Sequence, residues 1–196
     1  MITIGQRLQS AIDHMDKGEY ELGLSDICIA LDNTAKRHFH KSDSDRTAYK
    51  EFLKENMWLI LVTCLDACLS PQVKLPFQHD KIKSSQDGYS TLEDIVYHAI
   101  RCELIHDTGE KSKIVWNDYV ALAINDQGYL LLSPPFIWGL ALAIITCESN
   151  KDERVDAGSW IQTMGYKYLI NDLWGKKESI VQMAINRFGL DPRTVN

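Results

Sequence analysis

"TLEDIVYHAIRCELIH", residues 91–106, is the stretch on which the reading of the chain turns. Leu92, Ile95, Val96, Ala99 and Ile100 fall at i, i+3, i+4, i+7 and i+8, the spacing of one helical face turned to a core. Thr91, with Asp94 three residues on, supplies the N-cap. At about 100° per residue Arg101 lies nearly opposite that stripe, and Asp94, Tyr97, Leu104 and Ile105 lie near it. A face that holds Leu, Ile and Tyr is not a plain solvated face; it expects a second covering element or a partner subunit. Glu103 falls on the core stripe, where a carboxylate does not belong, and such failures of local rules gather at functional sites and element ends. On a straight helix His106 would point about 140° away from Arg101, so the two side chains meet only through a bend or a partner.

Working outward, the residues before this helix read as helical and the residues after it as mixed. Thr3 and Gln6 have the spacing of a capping box, and Ile4, Leu8, Ala11, Ile12 and Met15 share one face up to Gly18. Leu24, Ile27, Cys28, Leu31, Ala35 and His38 mark a second helix. A third, from about Arg46 to Cys68, is apolar nearly all round in "MWLILVTCLDACL" and belongs at the centre of a bundle. Residues 70–90, with Pro71, Pro76, Asp87 and Gly88, form the longest loop. After Gly109 the period changes to two. Val120, Leu122 and Ile124 alternate, "NDQG" supplies a turn with Gly128 at positive φ, and "YLLLS" resumes, so a β-hairpin is expected near 114–132, with "IVW" at 114–116 as an added strand. Ser133-Pro134 opens an apolar helix to about Ser149, residues 166–171 alternate as a strand or extended arm, and Ile180 to Phe188 makes a last amphipathic helix closed by Gly189. The expected fold class is mainly α: five to six helices with one small hairpin inserted, in a single domain over 1–196, with a helical core to 150 and a C-terminal arm and helix over 151–196.

Composition narrows the function classes. The chain has 196 residues, 45% apolar and 24% charged, which suits one globular domain. A net charge of −6 argues against a broad basic surface for duplex nucleic acid but leaves room for a local basic pocket. Five cysteines without framework spacing read as reduced thiols in a cytoplasmic protein. "FIWGLALAIITC", residues 136–147, is too short to span a bilayer, and the N-terminus lacks the pattern of a signal peptide, so no membrane association is expected. There is no Gly-rich phosphate loop, no G-x-S-x-G and no zinc-protease motif. Cys64 and Cys68 are two thiols on one helical face without a second ligand pair, so no metal and no cofactor is expected.

Arg101-Cys-Glu-Leu-Ile-His106 resembles the R-x4-6-H motif of the HEPN superfamily. "ICIALDNTAKRHF" at 27–39, the long helix after it, the hairpin and the apolar "FIWGLALAI" helix are similar to bacterial HEPN-like proteins, together over roughly residues 20–150. That resemblance implies a HEPN-like helical bundle and a metal-independent endoribonuclease that pools two Arg/His pairs across a homodimer. The roles implied are phosphate binding for Arg101 and general acid–base work for His106, with Asp32, Glu103 and Tyr97 in support. The basic patch of Lys36, Arg37 and His40 is a candidate RNA contact. Expected partners are RNA, a second copy through the helix carrying Arg101, and an antitoxin, in stress response or phage defence. Cys102 departs from the polar residue that often follows the arginine in catalytic members. The alternative is a non-catalytic scaffold that dimerises and binds nucleotide, RNA or a protein, with Arg101 merely paired to a carboxylate and His106 merely closing a helix.

Overall fold

The computed structural model describes residues 2–40, 42, 44–67, 72–82, 88–106, 113–118 and 122–189, without the side chains of Glu103 and His106. The first three helices stand where the apolar periodicity puts them: α1 (Ile4–Asp16), α2 (Tyr20–His38) and α3 (Asp45–Leu65). Thr3 and Gln6 close a true capping box on α1, and Ser44 caps α3 through the Thr47 amide. The expected α3 end, Cys68, lies outside the described residues; the helix stops at Leu65, and Asp66 turns out of it in the left-handed region at φ 47°.

Short strands β1 (Lys74–Leu75) and β2 (Ser90–Thr91) pair across the long loop. The Thr91 hydroxyl accepts from the Asp94 amide and opens α4 (Leu92–Ile95). This helix runs through a π-helical turn (Val96–Arg101) into α5 (Cys102–His106). Strand β3 (Ile114–Trp116) follows, then β4 (Leu122–Ile124) and β5 (Leu130–Leu132), and then α6 (Pro134–Thr146). Beyond a 3-10 turn at Glu148–Asn150, β6 (Trp160–Thr163) and β7 (Tyr166–Leu169) lead to α7 (Lys177–Phe188).

The expectation of a mainly α bundle with one hairpin is corrected by three sheets. About 58% of the described residues are helical, but the remainder contains a mixed three-stranded sheet and two antiparallel pairs, which makes the architecture mixed α/β. The hairpin β4–β5 forms as expected, with Gly128 at φ 78°. Strand β3 then adds parallel to β5, pairing Ile114 with Leu130 and Trp116 with Leu132, so β5 becomes the central strand. Parallel pairing between segments this far apart leaves no local turn signal to read. The alternating segment near 166–171 is half of a second hairpin. Its turn is Met164-Gly165, both at positive φ (50° and 76°), the geometry of a tight two-residue hairpin turn.

Helix α6 is the axis of the core. It packs on α3 and α2, and its buried face is nearly continuous from Phe136 to Thr146. Gly139 lets α3 and α6 touch backbone to backbone: a Cβ there would lie 2.5 Å from the Ile60 carbonyl oxygen. Ile161, Ile170, Ile180 and Ala184 join the same buried cluster, so the C-terminal segment is packed on the core rather than extended from it. Among the described residues no helix is long and apolar enough to cross a membrane.

Candidate functional site

The helix carrying the R-x4-H motif does not run straight. The Cys102 amide donates to the Tyr97 carbonyl, five residues back, and a π turn of this kind inserts one residue into the helical phase. Residue 104 therefore takes the core-facing direction that a straight helix would give to residue 103, and Leu104 packs against the core. The semi-apolar second face is met by α2 and α3: Tyr97 and Tyr49 lie edge to face with centroids 5.4 Å apart.

Arg101 ends this turn, its side chain only 16% exposed. Its Nη2 donates to Asp32 Oδ1 at 3.3 Å, and its Nη1 leans on Cys102 Sγ at 3.9 Å. Among the described residues its buried Nε has no hydrogen-bond partner. Cζ stands 5.1 Å from the Tyr97 ring centroid and 5.8 Å from that of Tyr49, and Arg46 from α3 stands 5.8 Å from Tyr97. Burial works against the Arg101 charge, but Asp32, Cys102 and Tyr97 together outweigh it and hold the guanidinium protonated more firmly than usual.

Asp32, expected as a supporting residue, stands at the hub. Its second oxygen takes Lys36 Nζ at 2.8 Å, and Lys36 also reaches Asp45 at 2.9 Å. Hydrogen bonds to Asp32 and then to Asp45 raise the Lys36 pKa. Arg37, the second expected RNA contact, is engaged elsewhere: it donates to Ser149 O, Asn150 Oδ1 and Glu153 Oε1 and ties α2 to the turn after α6. His40 is exposed at the end of α2. The backbone of Glu103 and His106 continues the helix, and the side chains of both lie outside the described ones. Arg101, Asp32, Tyr97 and Lys36 are thus brought together, and Arg37 is not.

Four neighbours carried no functional signal in the sequence. Cys28 lies fully buried beside Tyr49, and burial pushes its thiol up to about 12. Burial, and then the Cys28 thiol, raise the Tyr49 phenol well above its usual range. Arg46 is exposed and reaches Tyr97 only because α3 crosses the π turn. His98, buried within that turn, has an Nε2 without a partner among the described residues; burial first and the Arg46 charge second lower its pKa to about 4, against a smaller opposing pull from Asp94. Among the described residues no group of three or more His, Cys, Asp or Glu gathers as a metal would need. Cys64 is buried, with its thiol raised to about 12 by that burial, and Cys68 lies outside the described residues.

No curated protein and no solved structure matches the chain. A family model does match, over residues 3–190, nearly the whole length. The chain belongs to the Rv1289 family.

Proposed function

We propose that the chain binds single-stranded RNA, with Arg101 and Arg46 taking phosphates beside the Tyr97 ring. The observation that carries this reading is the guanidinium of Arg101, which among the described residues makes one long ion pair and one weak sulfur contact and has a buried Nε with no acceptor. A guanidinium offers five donors in a planar fork, and a phosphate oxygen pair is the acceptor that best fits its Nη edge. Arg46, exposed on α3, adds a second cation within reach of the same ring. The net charge of −6 keeps such binding local to this patch.

Cleavage is the finer reading, favoured by the position of His106 on the same helix, five residues after Arg101. In that chemistry the RNA 2′-hydroxyl attacks its own phosphate, Arg101 neutralises the phosphorane, and His106 moves the proton; the R-x4-H spacing supports it. Two such pairs pooled across a homodimer would complete the site, and neither metal nor cofactor is called for. A role in stress response or phage defence, with an antitoxin as protein partner, belongs to this reading alone.

The test is fluorescence anisotropy of a labelled single-stranded RNA at 50 and 200 mM salt, followed by a gel assay with EDTA. The expected result is binding that weakens with salt, and a loss of roughly tenfold in affinity for Arg101→Gln and for Arg46→Ala. RNA affinity unchanged by both substitutions would overturn the binding reading. Cleavage that survives His106→Ala, or no cleavage at all, would overturn the catalytic one and leave binding standing.

A further inference from the structure

A cavity of about 810 Å3 lies away from the Arg101 platform, where the end of α2, the middle of α3, the end of α6 and the first turn of α7 converge. Three side chains on its wall stand in line. Cys147 Sγ, at the C-terminal cap of α6, is 3.7 Å from His38 Nδ1, and His38 Nε2 is 3.4 Å from Glu55 Oε2. Each comes from a different element, so their alignment is a product of the tertiary fold and not of one helix face. The imidazole is edged by Phe39 at 4.5 Å and Phe52 at 5.9 Å between centroids, which limits its rotation. A fourth group, the Ser149 hydroxyl, lies 3.1 Å from the sulfur.

His38 is poised as a base in the tautomer that carries its proton on Nε2, the nitrogen at ion-pair distance from the Glu55 carboxylate. Nδ1 is then the bare nitrogen, and its lone pair faces the Cys147 thiol. This is the relation of a nucleophile, its base and the group that orients the base. Cys147 is buried except where it lines the cavity, at 4% exposure, whereas a structural thiol has no reason to meet an imidazole at an open wall. The lining also includes Lys177, partly desolvated, with its Nζ 3.3 Å from the Glu55 carbonyl oxygen. The amides of Lys177 and Glu178 open α7 and have no acceptor within the helix.

We propose that Cys147, His38 and Glu55 form an acyl-transfer site, and that the cavity takes a small ester or amide whose acyl group passes to the Cys147 sulfur. His38 Nδ1 accepts the thiol proton as sulfur attacks the carbonyl carbon; the C–S bond forms and the carbonyl pair moves onto oxygen. Collapse breaks the bond to the alcohol or amine, which leaves with the proton from His38. Water then attacks the thioester, giving its proton to His38; the C–S bond breaks, the proton returns to sulfur, and a carboxylic acid departs. Ser149 can donate to the thiolate, and Lys177 with the first amides of α7 can face the oxyanion. The volume lies within the range of about 300–1,000 Å3 that small-molecule sites occupy.

The experiment treats the full chain with p-nitrophenyl acetate, follows nitrophenolate release, and maps the acetyl group by peptide mass spectrometry. The expected result is about one equivalent of rapid release with the acetyl group on Cys147. Cys147→Ala should abolish it, and His38→Gln should slow it by roughly tenfold or more. Glu55→Ala should slow it several-fold, while Glu55→Gln, which keeps an acceptor for Nε2, recovers most of the rate; a purely structural glutamate would not show that split. His38 and Glu55 are half-exposed, so their variants remain informative even where Cys147→Ala does not fold, as circular dichroism will report. Acetylation of Lys177 or of other residues in place of Cys147, or a Cys147 rate unchanged by His38→Gln, would overturn the proposal.

Discussion

The Arg101 guanidinium meets the Asp32 carboxylate at 3.3 Å with the rings of Tyr97 and Tyr49 beside it, and this contact joins α2 to the π turn. Both side chains are mostly buried, at 16% and 13% exposure, so neither charge can be left alone cheaply. Asp32→Ala should cost about 1–3 kcal/mol, because it strands Arg101 and also loses Lys36. In a double-mutant cycle with Arg101→Leu, the two losses should fall short of additivity by roughly 1 kcal/mol or more. Urea titration of the four proteins measures this. Strictly additive losses would mean that the pair contributes no coupling.

Gly139 sets two effects of opposite sign against each other. In a helix interior, Gly→Ala ordinarily stabilises by about 1 kcal/mol. Here the new Cβ would meet the Ile60 backbone at 2.5 Å, and a helix backbone cannot yield as a flexible side chain does. Overpacking of that kind costs about 1–3 kcal/mol or more. Gly139→Ala should therefore lower the melting temperature by several degrees. A rise would show that α3 and α6 do not touch at this point.

Asn150 is fully buried and uses its whole amide. Nδ2 donates to Thr34 Oγ1 and to Ile144 O, both at 2.9 Å, and Oδ1 accepts from Arg37. Asn150→Ala leaves the Ile144 carbonyl and the Thr34 hydroxyl short of a partner and should cost about 2–3 kcal/mol. Asn150→Asp should cost more at neutral pH, since a carboxylate would face the Ile144 carbonyl with nothing to donate. The reverse order in urea midpoints would contradict the assigned amide orientation.

How much of this was legible beforehand follows from which interactions are local. The capping box at Thr3, the N-cap at Thr91, the α1 to α3 stripes and Gly128 are written within a few residues, and the structure agrees with them. The break at Glu103 was visible, but its cause was not. A π turn shifts the helical phase by one residue without changing any propensity, so arithmetic at 3.6 residues per turn misplaced everything after Arg101. The β3–β5 pairing, and the meeting of His38 with Cys147 across 109 positions, depend on tertiary packing that no local pattern encodes. The same holds for the hairpin at Met164-Gly165, since methionine is not a residue that announces a left-handed turn position. Asp32 was the exception. It was expected to support the motif from the second helix, and its carboxylate is the one that meets Arg101.

His98 gives the fold a pH dependence whose sign can be worked out. Its side chain is buried, its Nε2 has no partner among the described residues, and burial with the nearby Arg46 charge lowers its pKa from 6.5 to about 4. The folded chain therefore holds His98 neutral at a pH where the unfolded chain protonates it. A depressed pKa contributes stability that is fully present above the unfolded value and is lost as pH falls, here between about 6.5 and 4. The slope attributable to one proton reaches at most about 1.4 kcal/mol per pH unit in that window and levels off below it. Asp94 adds a loss at lower pH: burial pushes its carboxyl up, but the Lys50 ammonium at 2.5 Å brings it below its ordinary 3.8, so its contribution fades only under about pH 4. Replacing His98 with Phe should flatten the dependence of the urea midpoint between pH 6.5 and 4 while leaving the more acidic limb in place. A slope that persists unchanged in His98→Phe would assign the loss to other histidines and remove His98 as its source.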